Sequence, residues 1–221
     1  MSILYLFDID GTLLQAAGSG RAAFDAVFAE RHGVADGSRG IRYGGKTDPA
    51  IVEEIYVARL GRPPTGEEVA AFLDAYLPRL RRQLADRGVR VLAGVVEALA
   101  YLKARPGVVL GVATGNVRAG AEAKLAAAGL AHWFELGGYG CDSAVRAELV
   151  ARAIDRGRAR GEVREVVVVG DTIHDIAAAR AAGATVCAVA TGADPAEALA
   201  GADAVLASMS ELPAWHARRF A

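Results

Sequence analysis

Lysine is nearly missing from this chain. Lys46, Lys103 and Lys124 are the only lysines, against 25 Lys and Arg together. Arginine carries most of the positive charge, so an Arg in place of an expected Lys says little. Cysteine is as scarce. Cys141 and Cys187 stand far apart and form no C-x-x-C pair, which argues against a disulfide framework and a thiolate metal site. An excess of one charge is also absent, since the formal net charge is -1. Neither nucleic acid nor an anionic membrane is then drawn to the molecule as a whole. The purely apolar runs are much shorter than a membrane span. The N-terminus lacks the basic start and long apolar stretch of a signal peptide. The expectation is a cytoplasmic protein with no nucleic-acid partner and no membrane partner. Apolar surface, by contrast, is plentiful. With 53% hydrophobic and 23% charged residues, a full core can be buried.

Short apolar runs alternate with helical periodicity along most of the chain. Ile3-Leu4-Tyr5-Leu6-Phe7 ends in Asp8 and reads as a buried strand. Ala23, Phe24, Val27 and Phe28 recur at helical spacing over 21–31. Residues 32–47 are rich in glycine and polar groups and read as loop. Asp48-Pro49 opens a helix through Ile51, Ile55 and Val57, with proline in the first turn. After Pro63-Pro64, Thr65-Gly66-Glu67-Glu68 is a capping box for a helix through Phe72, Leu73, Tyr76, Leu80 and Leu84. Residues 16–88 are therefore read as an α-helical cap. Beyond them, strands at 108–113, 166–169, 185–190 and 204–206 alternate with helices at 95–103, 118–128, 144–158, 173–182 and from 210 onward. This alternation predicts an α/β fold, a doubly wound, Rossmann-like parallel sheet covered on both faces. Residues 1–15 and 89–221 would form it, with the helical cap inserted after the first strand.

Two motifs compete for attention. Residues 40–47, Gly-Ile-Arg-Tyr-Gly-Gly-Lys-Thr, satisfy the G-x-x-x-x-G-K-[ST] pattern of a nucleotide-binding phosphate loop. Such a loop needs a strand before it and a helix after it. Residues 30–39 cannot be a buried strand, whereas a helix does follow. The better readings are a plain loop before a helix or, more usefully, a helix N-terminus with Lys46 and Thr47 facing an anionic substrate. Residues 18–23 match G-x-G-x-x-[GA] but do not follow the first strand directly, as a dinucleotide fingerprint requires.

Three strands end in polar residues: Asp8-Ile9-Asp10-Gly11-Thr12, Thr114-Gly115-Asn116, and Gly170-Asp171-Thr172-Ile173-His174-Asp175. Ligands of an open parallel sheet bind at the carboxyl ends of its strands. Asp8, Asp10, Asp171 and Asp175 would crowd one crevice there. Like charges so close need a counter-charge, and a hard dication such as Mg2+ supplies it through oxygen ligands. The absence of soft ligands argues against zinc and copper. A metal-bound carboxylate with a free oxygen can attack phosphorus. A second carboxylate two residues on can protonate the leaving oxygen and later activate water. The Thr114 hydroxyl and the Gly115 and Asn116 amides could bind phosphoryl oxygens, and a cation such as Arg146 could neutralise their charge.

These motifs, in this order, resemble the haloacid dehalogenase superfamily in its phosphatase branch, close to the phosphoglycolate phosphatases with a helical cap. The resemblance implies Asp8 as nucleophile, Asp10 as general acid/base and Thr114 as phosphate ligand. It implies Asp171 as magnesium ligand, with Asp175 supporting and the Asp10 main-chain carbonyl also binding the ion. Asp10 points to phosphoryl transfer, because the dehalogenases lack that second acid. The family's third motif is a Lys or Arg before the last acidic motif; no Lys stands there, so Arg146 is the choice and Lys124 its rival. The segment Gly44-Gly45-Lys46-Thr47-Asp48 resembles the part of the cap that faces the active site. The implied function is a magnesium-dependent phosphatase acting on a small phosphorylated metabolite. A phosphomutase on the same scaffold is the alternative, ahead of a phosphate-loop NTPase or a phospho-accepting regulatory module.

Overall fold

The computed structural model describes residues 2–220. The chain opens with β1 (Ser2–Phe7), then a two-residue strand, β2 (Leu14–Gln15). Three helices follow: α1 (Ser19–His32), α2 (Asp48–Leu60) and α3 (Gly66–Arg87). The strand β3 (Arg90–Val91) pairs antiparallel with β2, so the helical segment leaves and re-enters through one small ribbon. The rest alternates: α4 (Val95–Lys103), β4 (Val108–Thr114), α5 (Arg118–Ala127), β5 (Leu136–Tyr139), α6 (Arg146–Arg158), β6 (Val163–Gly170), α7 (Ile173–Ala181) and β7 (Thr185–Val189). The chain closes with β8 (Ala204–Leu206) and α8 (Leu212–Arg219).

Six strands form one sheet in the order β5-β4-β1-β6-β7-β8, parallel throughout. The order reverses at β1, which is the doubly wound arrangement expected from the alternation. Period-two geometry sends successive side chains of β1 to opposite faces. Leu4 and Leu6 join a core with Leu149, Ile154 and Ala178 of α6 and α7. Tyr5 and Phe7 join the other core, with Leu99, Leu102 and Trp215 of α4 and α8. Burial of each such side chain stabilises by about 1.5–3 kcal/mol, which is why a strand covered on both faces is continuously apolar.

The second core runs on into the helical segment. Phe24, Phe28, Tyr56, Phe72 and Tyr76 pack there, with the Phe24 and Tyr76 rings 4.6 Å apart. The capping box of α3 forms: the Glu68 amide donates to Thr65 Oγ1 at 3.2 Å, and the Thr65 amide donates to Glu68 Oε2 at 2.7 Å. Several details depart from the sequence pattern. Val57 is 50% exposed, and the buried face of α2 is made by Ile51, Val52, Ile55 and Tyr56 instead. The helix expected from 144 starts at Arg146, and that expected from 210 at Leu212. β5 was not expected at all. Leu-Gly-Gly-Tyr has little strand propensity, and its pairing with β4 makes the strand.

Candidate active site

The carboxyl ends of β1, β4 and β6 converge. Asp8 follows β1, and its amide continues the ladder by donating to the Val169 carbonyl at 2.9 Å. Asp171 follows β6, and Asp175 lies one turn into α7. Oxygens of Asp8, Asp171 and Asp175 lie within 4.8 Å of one another, and all three residues are buried. Asp171 is held from several sides. The Thr12 hydroxyl donates to its Oδ1 at 3.0 Å and the Ala193 amide to its Oδ2 at 2.7 Å. Gly192 makes that approach feasible, since a Cβ there would sit 1.8 Å from Asp171 Oδ2. Asp175 both caps and faces the cluster: its Oδ2 accepts from the Thr172 amide and hydroxyl, while its Oδ1 meets Arg146.

Arg146 reaches the acids from the start of α6. Its Nη2 lies 3.1 Å from Asp8 Oδ1 and 2.5 Å from Asp175 Oδ1. Burial lowers the guanidinium's affinity for its proton, but the two carboxylates more than reverse this. One cation does not balance three acids, however. Burial pushes Asp8 up to about 6, with Asp175 and Asp10 adding to the push and Arg146 opposing it. Burial, then Asp8 and Asp175, push Asp171 up to about 8. The donor set is all carboxylate, hard and over-charged, which fits a divalent cation.

Asp10 departs from the expected crowd. Its carboxylate is outside the three-acid group and turns toward α5. Asp10 Oδ2 accepts from Lys124 Nζ at 2.6 Å and from Asn116 Nδ2 at 2.8 Å. Asn116 Nδ2 also donates to the Thr114 hydroxyl at 2.8 Å. Both rival cations are therefore at the site, on different acids.

A cavity of about 240 Å³ opens over these groups. Asp8, Asp10, Thr114, Gly115, Asn116 and Arg146 line it from the sheet side, and Gly20, Tyr43 and Lys46 from the helical side. Lys46 lines the cavity, and its ammonium pairs with Glu54 at 2.5 Å. Thr47 does not line it. Its hydroxyl caps α2, accepting from the Ala50 amide at 3.4 Å, and donates to the Ala144 carbonyl at 3.2 Å. No strand leads directly into residues 40–47, which follow α1 and a turn, so the phosphate-loop context is absent. His174 is exposed and packs beside Gly45. Asp48, to which the sequence assigned no role beyond opening α2 within the Gly44–Asp48 segment, is buried against the turn after β4. A first-turn acid in a segment expected to face the site was the one available signal.

The model of the haloacid dehalogenase-like hydrolases matches residues 4–183. The chain belongs to this family. Among curated relatives, "Probable phosphatase IndB" of Dickeya dadantii (strain 3937) is 32% identical over 192 residues, covering 83% of this chain and 79% of that protein. A phosphoglycolate phosphatase of Caulobacter vibrioides is 32% identical over 216 residues, covering 94% of this chain and 87% of that protein. Among solved structures, CbbY from Rhodobacter sphaeroides in complex with phosphate superposes with a TM-score of 0.75 at 22% identity, covering 96% of each chain. At that identity the likeness shows the shared fold. Family hydrolases generally use a divalent metal, and the three-acid group of this chain suits one.

Proposed function

We propose that the protein is a magnesium-dependent phosphatase that hydrolyses a small phosphorylated metabolite through an aspartyl-phosphate on Asp8. Phosphoric monoester hydrolysis as the class of reaction rests on the family and on the phosphatase relatives. The observation that carries the finer reading is the placement of Asp8. It is buried, faces the cavity, and sits between Arg146 and two further acids.

Asp8, Asp171 and the Asp10 main-chain carbonyl would hold the magnesium ion, with Asp175 supporting. When bound, the ion would offset the acids' charge and polarise the phosphoryl group. The Asp8 carboxylate attacks phosphorus, and the bond from phosphorus to the leaving oxygen breaks. Asp10, two residues on, gives that oxygen its proton. Water then attacks the phosphorus of the acyl phosphate and gives its proton to Asp10. The bond between Asp8 and phosphorus breaks, which frees inorganic phosphate and restores the carboxylate. The Thr114 hydroxyl and the Gly115 and Asn116 amides receive phosphoryl oxygens, and Arg146 steadies the charge spread over them. Residues 16–88 act as a cap over the cavity, excluding water during attack. Lys46 contacts the substrate once it exchanges Glu54 for an anionic group.

Phosphate release from a panel of phosphomonoesters, with and without magnesium, tests this reading, with phosphoglycolate first because a relative bears that name. Release that depends on the ion supports it. An isomerised phosphate ester in place of free phosphate would convert the reading to a mutase. Asp8→Asn should abolish turnover with an unchanged circular dichroism spectrum; retained turnover would remove Asp8 from the nucleophile's role.

A further inference from the structure

We propose that Asp48 is a positioning residue that clamps the phosphate-facing turn 114–117 from the helical cap, so that catalysis requires the cap to be seated. The inference rests on the reading above. Two hydrogen bonds define the clamp. The Asp48 amide donates to the Gly115 carbonyl at 2.8 Å. Asp48 Oδ2 accepts from the Val117 amide at 2.8 Å. Asp48 therefore grips both ends of the turn that carries Asn116.

The grip replaces something the turn lacks. Val117 occupies the N-cap position of α5, where a capping box would serve its amide from the side chain three residues on, and that residue is Gly120, which has none. The first amides of a helix need acceptors from outside it. Asp48 satisfies the Val117 amide from a residue 69 positions away. Its carboxylate also lies in the first turn of α2, where the helix macrodipole favours an anion. Burial pushes the Asp48 carboxyl up to about 6, against the opposing charge of Lys124. A buried carboxylate with such partners is costly to leave unmade. Its backbone surroundings are equally tight. A Cβ at Gly115 would meet the Lys46 carbonyl oxygen at 2.0 Å, so residues 46–48 lie directly on the turn.

The consequence reaches the reacting groups through Asn116. That side chain joins Asp10 Oδ2 and the Thr114 hydroxyl, at 2.8 Å each. A turn released at Val117 lets Asn116 drift, and with it the geometry between acid/base and phosphate ligand. Displacement of about 1 Å at such a site costs on the order of 10²-fold in rate.

The test compares wild type, Asp48→Asn and Asp48→Ala with magnesium and 4-nitrophenyl phosphate, alongside amide hydrogen exchange of the 115–118 segment. The amide oxygen of Asn still accepts from Val117, so Asp48→Asn should stay within about threefold of wild-type kcat. Asp48→Ala should lose about 100-fold in kcat with little change in KM, and its Val117 amide should exchange faster. A kcat within about threefold of wild type in Asp48→Ala overturns the proposal, as does an Asp48→Asn variant as impaired as Asp48→Ala. If Asp48→Ala does not fold, the wild-type Val117 amide decides: protection there supports the clamp, and free exchange overturns it. A wild-type protein that releases no phosphate from any ester defeats the phosphatase reading instead, and the exchange comparison still judges the clamp.

Discussion

Lys124 Nζ lies 2.6 Å from Asp10 Oδ2, and this contact takes Asp10 away from the three-acid group. Lys124 is itself buried and also donates to Asn116 Oδ1 at 2.6 Å. It thus holds the proposed acid/base in one orientation, while Arg146 attends to Asp8. Lys124→Ala should lower kcat by about 10–100-fold, short of the 10²–10⁴ that loss of an acid/base itself costs. Steady-state kinetics reads this directly. An unaltered kcat would leave Arg146 as the sole cation that matters.

Arg146 is the counter-charge of two buried carboxylates. Breaking a buried pair by removing one partner typically costs about 3–5 kcal/mol, because the other charge stays buried and unpaired. Arg146→Ala should therefore lower unfolding free energy by about that amount in urea titrations with chelator present. Added magnesium should recover part of the loss, since a bound dication takes over the same acids. Stability equal to wild type would show that those acids are neutralised in some other way.

Magnesium should raise the melting temperature of the wild-type protein. A ligand at 100 times its dissociation constant stabilises by about 2.7 kcal/mol. Asp171→Asn removes one negative charge and one carboxylate oxygen from the group and should abolish most of that shift in differential scanning fluorimetry. An undiminished shift in the variant would place the ion elsewhere.

His216 supplies a pH-dependent contribution far from the acids. It is buried on α8, with Nδ1 2.6 Å from the Tyr5 hydroxyl, and packs beside Tyr101 and Phe220. Burial, then the Arg105 charge, hold its pKa below the ordinary histidine value. The unfolded chain thus binds the proton more tightly than the folded one. The sign follows: this stability is present above pH 6.5 and is lost as pH falls below it. Between pH 7.5 and pH 5, wild type should lose more unfolding free energy than His216→Gln. Parallel pH profiles for the two proteins would contradict this.

Much of the architecture was readable in advance. Ile3-Leu4-Tyr5-Leu6-Phe7 reads as a doubly covered strand, because such a strand is apolar at every position and the run is too short for a buried helix. Acids at the ends of two such runs, and Thr114 with Asn116 at the end of a third, had to meet, because parallel strands bring their carboxyl ends to one edge. Thr65 and Glu68 announced a helix start through four residues of local chemistry. β5 escaped notice because its glycines carry no local preference for a strand, and the neighbouring β4 supplies the partner.

The sequence by itself determined which acids gather and which elements deliver them, since both follow from local pattern and the handedness of the winding. Tertiary structure alone decided how the charges pair. Asp10 turned to Lys124 across 114 residues of chain, Lys46 was taken by Glu54, and Asp48 became the cap of a helix that is not its own. The physical reason is that a buried charge takes its partner from whatever the fold places within about 3 Å, and no local pattern records that distance.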